Sequence, residues 1–452
     1  MFKNIALFSL LYFCLNSCAS YYQMSQEFQN ELENGQLDQA YDLVKKNKFL
    51  KKRRNRVLAA LERGKLAHLN GYYEESNRYF NQVDSILDLN KKNIGGKLLA
   101  NFTNPEKAPY RAEDFEQVFI HYYKALNYYN LNQFDEALVE ARRINLRLQA
   151  INDSYPADKK NRYNTDAFAH MFQGFLYECM NETNEAYISY KLATEVYLGQ
   201  ENHHFFGVDL PDALAQDLLS SAKTLGFREQ YKHYSKTLDQ KAKQVETSPG
   251  GELILIWEQG LVPYKAETNF MFSMLPNGYG SLDIVSDELG LSIPMAYSGN
   301  QSNFDIIRLA FPQYQTRFVQ YDSAQVSIEG KTYDFVKIEN FDVIAQKTLE
   351  DRRVRDLTSA ALRLATKKVA ESLVSKENEY AGDALKIINM FTEKADTRNW
   401  QTLPSALYYT RIPLEKGENT IQVKLSGNLA EKTQTITANG KGGTQLKTLY
   451  SF

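Results

Sequence analysis

The residues best suited to chemistry lie in one string, Ala395-Asp396-Thr-Arg398-Asn-Trp400-Gln-Thr-Leu403-Pro404, followed by Arg411-Ile-Pro413. A tryptophan face beside guanidinium groups suits a carboxylate or a sugar, which makes Arg398, Trp400 and Arg411 a candidate ligand groove. The structural reading of the same string is that Asp396 and Arg398 pair or cap a helix while Trp400 anchors a connection to a sheet. Glycan hydrolysis needs two converging carboxylates. Glu379, Asp383, Glu393 and Asp396 are available, but nothing in their spacing brings them together. No Gly-x-Ser-x-Gly or His-Glu-x-x-His string occurs, so neither a nucleophile elbow nor a zinc helix is expected. His203-His204 precedes Leu210-Pro211 and reads as a surface connection, whereas His68, His121, His170 and His233 fall in helical segments. Gly440-Lys-Gly-Gly-Thr444 lacks the spacing of a phosphate loop. The expectation is no catalytic set, no metal site and no cofactor.

Cys18 is a second reactive position. One lysine precedes the apolar run Ile5–Leu15, which ends in Leu15-Asn16-Ser17-Cys18. This is the pattern of a secretory signal, and the run is shorter than the about 20 residues a spanning helix needs. Its closing cysteine resembles the lipobox of bacterial lipoproteins, with Asn16 in place of the usual small or β-branched residue. The resemblance implies removal of residues 1–17 and acylation of Cys18, which holds the chain to a membrane without inserted protein. Ala19-Ser20-Tyr21 brings neither an aspartate at the second position nor an acidic cluster. That implies the outer membrane, facing the periplasm. Lys45–Arg56 holds a dense basic run, including Lys45, Lys46, Lys51, Lys52, Arg53 and Arg54, around Phe49 and Leu50. On an exported protein it suits lipid headgroups, lipopolysaccharide phosphates or peptidoglycan carboxylates, or is a solvated helix end. The net charge of −2 gives no general pull toward polyanions, so no nucleic-acid partner is expected. Cys14, Cys18 and Cys179 are too few for a disulfide framework, and Cys179 reads as a small core residue.

The elements that must position these residues fall into two halves. The chain has 452 residues, 43% of them hydrophobic, and a mean hydropathy of −0.49, room for two or three domains. Its 30 Tyr and 25 Phe suit packed helix pairs, whose grooves take large rings. Ala125, Tyr128, Asn132, Ala137 and Ala141 share their spacing with Gly174, Tyr177, Asn181, Ala186 and Tyr190. Gly64, Ala67, Gly71, Ser76 and Phe80 repeat it, and weaker copies carry Gly35 with Ala40 or Ala222, Gly226 and Tyr231. The pattern resembles the tetratricopeptide repeat, a helix–turn–helix unit of about 34 residues. Its copies are unevenly spaced, so an irregular array is expected over residues 18–245, with an insert at Asn90–Glu113. Such a stack leaves a concave surface suited to a protein partner.

Residues 246–251 break the helical pattern and mark a linker. Residues 252–452 read as an α+β domain, with strands at Glu252–Trp257, Leu291–Tyr297, Ala324–Glu329, Lys331–Ile338, Thr420–Leu425 and Gln434–Thr437. Asn439-Gly440 predicts a hairpin from the last of these to Gln445–Leu449. Thr348-x-x-Asp351 predicts the start of a helix running to about Ser375, one face of it carrying Arg352, Arg353, Arg355, Arg363, Lys367 and Lys368. A second helix is expected at Ala381–Phe391.

The string from Asp396 to Pro404, with Tyr110–Glu116, Glu140-Ala-Arg-Arg143 and the basic helix at Arg352–Lys368, closely resembles signatures of a family of bacterial lipoproteins. That family has a tetratricopeptide-like front half and no assigned reaction; its genes often neighbour those for activators of cell-wall-synthesising penicillin-binding proteins. The resemblance implies a non-catalytic, lipid-anchored envelope scaffold or regulator whose repeats hold an envelope protein. The alternatives are a peptidoglycan- or glycan-acting enzyme or sugar-binding protein using the C-terminal domain, and a structural component of an envelope secretion or motility assembly.

Overall fold

Left-handed residues make the helix reversals of the front half. Gly35, Gly71, Asn132, Asn181 and Gly226 have φ between 58° and 76°, a region that glycine and asparagine enter at least cost. Each reverses one helix onto the next: α1 (Tyr21–Glu33) onto α2 (Leu37–Lys46), α3 (Arg56–Leu69) onto α4 (Tyr73–Lys92), and α5 (Asp114–Asn130) onto α6 (Phe134–Asp153). Likewise α7 (Ala167–Cys179) turns onto α8 (Thr183–Leu198), and α9 (Asp212–Thr224) onto α10 (Arg228–Thr237). Inside two of these hairpins a glycine receives a ring. A Cβ on Gly174 would lie 2.3 Å from the Tyr190 ring, and one on Gly64 2.7 Å from Phe80. The repeat pattern is therefore a contact pattern: small residue on one helix, aromatic on its partner.

The computed structural model describes residues 20–92, 105–153, 155, 163–243, 248–277, 281–296, 305–375, 394–428 and 430–452. Residues 1–17, Cys18, Glu379, Asp383, Glu393 and the helix expected at Ala381–Phe391 lie outside them.

A small hairpin, β1 (His204–Phe205) with β2 (Val208–Asp209), follows α8. The remaining strands are β3 (Glu252–Gln259), β4 (Tyr264–Pro276), β5 (Ser281–Ser286), β6 (Leu291–Ala296), β7 (Asp305–Gln315), β8 (Ser323–Ile328), β9 (Lys331–Asp334), β10 (Val336–Asn340), β11 (Ala406–Pro413), β12 (Gly417–Ser426), β13 (Glu431–Gly440) and β14 (Thr444–Ser451). They form three four-stranded sheets, ordered β10-β11-β3-β14, β13-β12-β8-β9 and β6-β5-β4-β7.

Strand β3 lies at the centre of the layering. Leu253, Leu255 and Trp257 point to Val326, Ile421, Val423 and Leu425 of the second sheet. Ile254 and Ile256 point the other way and join the helical core. Both faces are buried, which explains the unbroken apolar run. The helices, the first sheet and the second sheet are thus three stacked layers. The third sheet buries Phe270, Phe272, Ile284, Ile307 and Leu309 in a core shared with Leu357 and Ala361 of α11 (Phe341–Ser375).

Four expectations are corrected. Asn439-Gly440 makes no hairpin: neither residue takes the left-handed conformation, whereas Gly442 and Gly443 do (φ 89° and 72°). There the chain leaves the second sheet, and β14 pairs parallel to β3. Lys331–Ile338 is two strands in different sheets, divided at Phe335, whose ring meets Trp257 at 5.7 Å. Helix α11 begins at Phe341, capped by Asn340 Oδ1 accepting from the Val343 N–H at 3.2 Å. The Thr348 hydroxyl sits mid-helix and donates to the Ile344 carbonyl at 2.7 Å. Finally, the described part of the linker is stitched into the sheets: Gly250 donates to the Leu414 carbonyl, and Gly442 donates to that of Gly250. Strands β4, β5, β7 and β11 were not expected: β4, β7 and β11 carry Pro276, Pro312 and Pro413, whereas β5 is a short regular alternation that buries Leu282 and Ile284.

Candidate functional site

Residues 395–405 carry the string that sequence singles out, and the structure places them inside the helical array. Arg398 is 1% exposed and Trp400 0%. The Arg398 guanidinium donates to both Asp396 oxygens at 2.7 and 2.6 Å, to Asn55 Oδ1 at 2.8 Å and to the Ala108 carbonyl at 3.1 Å. Its face lies over Tyr110. The Trp400 ring packs against the stacked rings of Phe80 and Tyr123, and its indole N–H donates to Thr402 Oγ1 at 2.9 Å.

Two helix carboxylates receive the backbone of this segment. Glu116 on α5 accepts the Trp400 N–H at 2.6 Å, and Glu62 on α3 accepts the Gln401 N–H at 2.9 Å. Glu62 also accepts from the hydroxyls of Thr402 (2.6 Å) and Tyr21 (2.8 Å). The Gln401 side chain accepts from Ser25 and Gln29 of α1. Burial pushes the Glu62 carboxyl up, and burial together with Glu113 pushes Glu116 up to about 7. Helices α1, α3 and α5 thus hold a segment of the chain's own.

The expected groove of Arg398, Trp400 and Arg411 is therefore not formed. Arg411, on β11, lies elsewhere on the seam between sheet and helices. It pairs with Glu178 at 2.8 Å, Asp217 at 2.8 Å and Glu252 at 2.5 Å, and donates to the Tyr190 hydroxyl. Burial raises Asp217 to about 7, with Glu178 adding to the rise and Arg411 opposing it.

Further polar contacts join the halves. Lys65 on α3 meets Glu258 on β3 at 2.5 Å, both fully enclosed, and Tyr122 and Tyr123 donate to the same carboxylate. His68 bridges Asn127 and Tyr450 at 2.6 and 2.7 Å; burial and the nearby Lys65 push the ring down to about 3. Glu113 pairs with Lys265 and with Arg352, which draws one residue of the basic helix face into the seam. Asp166 caps α7 through the Ala169 N–H and faces Glu339 of β10; burial raises both carboxyls. Sequence reading missed Glu62, Lys65 and Glu258. The available signal was a charge embedded in an otherwise apolar helix or strand.

The basic run Lys45–Arg56 closes the first hairpin. Phe49 and Leu50 are buried within it, while Lys46, Lys51, Lys52 and Arg53 are exposed and Lys45 and Arg54 half-buried. His204 meets Asp209 on the exposed face of the β1–β2 hairpin, whose Phe205 and Val208 are buried. Cys179 ends α7, and burial pushes its thiol up to about 12. An open cleft of about 610 Å³ lies between the α1–α2 turn and the sheets, lined in part by Gln320, Tyr321, Lys432, Gln434, Tyr450 and Phe452. Among the described residues, no cluster of three or more His, Cys, Asp or Glu could hold a metal, and no helix is long and apolar enough to cross a membrane.

No protein-family model and no curated protein matches the chain. Solved repeat structures show slight likeness. A kinesin-light-chain TPR-like repeat protein of Podosopora anserina is 13% identical with a TM-score of 0.31, covering 48% of this chain and 92% of that one. Apo RapI is 14% identical with a TM-score of 0.33, covering 52% and 58%. BtubC from P. vanneervenii is 13% identical with a TM-score of 0.32, covering 50% and 84%. The repeat assignment rests on the left-handed turns and the glycine-to-ring contacts, independently of these likenesses.

Proposed function

We propose that the protein is a non-catalytic, lipid-anchored scaffold of the bacterial envelope, held at the outer membrane through Cys18, whose partners dock on the outside of the helical array. The observation that carries this reading is the occupied hollow: residues 395–405 and the first sheet fill the face where a repeat protein ordinarily receives its ligand. Array and sheets then act as a single adaptor body. The surface left for an envelope protein includes exposed apolar side chains on α6 and α8: Val139, Leu146, Ile188 and Leu192.

The test is photo-crosslinking in living cells from positions 146 and 188, with mass spectrometry of the captured species. One recurrent envelope protein captured from both positions supports the scaffold and names its process. Capture of nothing beyond what position 401, sealed in the seam, captures would sink it. For the anchor, Cys18→Ala should move the protein from the membrane fraction to the soluble one; retention would refute acylation at Cys18.

A second reading, sugar binding by the C-terminal half, is favoured by the cleft at Tyr321, Tyr450 and Phe452, where rings stand beside amides. Titration with soluble peptidoglycan fragments decides it. Saturable binding abolished by Tyr321→Ala would establish the site, and a flat titration would remove it.

A further inference from the structure

The basic run is clamped to the start of the first helix. The Phe49 ring stacks on Tyr21 at 5.4 Å, and Asn47 Nδ2 donates to the Met24 carbonyl at 2.8 Å. Asn47 Oδ1 in turn accepts the N–H groups of Phe49 and Leu50, which fixes the loop. Between Lys45 and Arg56 there is no acidic residue. Lys45 pairs with Asp42 and Arg54 with Glu106. Lys46, Lys48, Lys51, Lys52, Arg53 and Arg56 stand exposed on the same short segment. Lys45 and Lys46 sit in the last turn of α2, where cations offset the helix dipole; that role does not extend to the others.

The neighbouring helix end adds to the positive field. Helix α1 starts at a capping box on Ser20 and Gln23, its Tyr21 N–H donates to Thr397 Oγ1 at 3.3 Å, and its first turn holds no acidic residue to offset the helix dipole. Cys18 precedes Ser20 by two residues, a reach of at most about 7 Å. An acyl chain on Cys18 would thus enter the bilayer beside these lysines and arginines.

We propose that the surface formed by Lys46, Lys48, Lys51, Lys52 and Arg53 docks on anionic phospholipid headgroups, and so sets the orientation of the array on its membrane. The orientation rests on the reading of Cys18 as the anchored residue; the headgroup contact does not. Juxtamembrane basic clusters bind anionic leaflets through additive, salt-screened attraction. A lipid tether keeps such a weak contact engaged by raising its effective concentration.

The experiment uses the full chain carrying Cys18→Ala, sedimented with phosphatidylcholine vesicles with and without phosphatidylglycerol. The expected result is binding that requires phosphatidylglycerol, falls with added salt, and drops about a hundredfold in Lys51→Gln/Lys52→Gln/Arg53→Gln. The exposed positions of these side chains predict an unchanged melting temperature for that variant. Equal binding to both vesicle types, or undiminished binding by the triple variant, would overturn the proposal. So would a preference for polyglutamate over phosphatidylglycerol vesicles, which would assign the patch to an acidic protein partner. Membrane fractionation of the wild-type chain is read separately: its release to the soluble fraction refutes the anchor without touching the vesicle result.

Discussion

Lys65 and Glu258 show what the seam demands of single residues. The fully buried Lys65 ammonium meets the Glu258 carboxylate at 2.5 Å, which opposes the burial that pulls the lysine pKa down. Removing one partner of such a pair is far more costly than replacing both. Glu258→Gln should lower stability by about 3–5 kcal/mol in urea denaturation, and adding Lys65→Met should recover a measurable part. The pair Asp166 and Glu339 behaves oppositely. Glu339 accepts the Asn340 N–H at 3.0 Å and hydrogen-bonds Asp166. Its carboxyl is raised well above 4.5 by burial and then by Asp166. A raised carboxyl stabilises fully below its unfolded value, and that stability is lost as pH climbs through the folded value. Glutamine can make both hydrogen bonds without titrating. Glu339→Gln should therefore melt like wild type near pH 5 and above it at pH 8. Parallel melting curves at every pH would show that Glu339 is ionised in the fold.

At the scale of elements, the hairpins depend on two devices, and each can be broken alone. Gly174 lies so close to Tyr190 that a methyl group has no room. Gly174→Ala should cost about 1–3 kcal/mol by overpacking, and Ala186→Leu, at a fully buried position, about as much. Thermal melting checks both, and an unchanged melting temperature would mean that the hairpin repacks freely. The left-handed turn is the other device. Asn181→Ala should cost about 1 kcal/mol, because alanine lacks the local hydrogen bonding that lets asparagine accept φ of 61°. Helix α11 shows the limits of local signals. Thr348 and Asp351 look like a cap, yet the helix starts seven residues earlier, at Phe341, because Asn340 supplies the capping oxygen as β10 ends.

For the molecule as a whole, the first sheet and the segment 395–405 are part of the array's core. Trp400, Leu403, Leu407 and Tyr409 belong to the same buried cluster as Phe80, Phe119, Phe172 and Tyr190. Two domains joined by a linker would melt separately; this architecture should give one cooperative calorimetric transition. A chain ending at Lys243 would bare that cluster, and it should bind a hydrophobic dye strongly and lack a sharp transition. A well-folded, dye-silent product would mean that the array is self-sufficient.

Sequence alone determined the local physics. The turn residues Gly35, Gly71, Asn132, Asn181 and Gly226, the glycine-to-aromatic spacing and the apolar run of β3 are each legible over a few neighbouring positions. They depend on backbone conformation and period, which short stretches carry. The change from helices to strands near residue 250 was legible for the same reason. Tertiary structure decided which surfaces remain free. Arg398 and Trp400 have the composition of a binding site, and only their meeting with Asn55, Glu116 and Phe80 reveals them as buried ligands of the chain's own array. Glu62 and Lys65 stand out only as charges in an apolar helix; their partners Gln401 and Glu258 arrive from 339 and 193 residues away. The cost of burying a charge is settled by its partner, and partners that distant leave no trace in local spacing. The same holds for the basic run: its composition is written in residues 45–56, but its place beside the first helix comes from Phe49 packing on Tyr21.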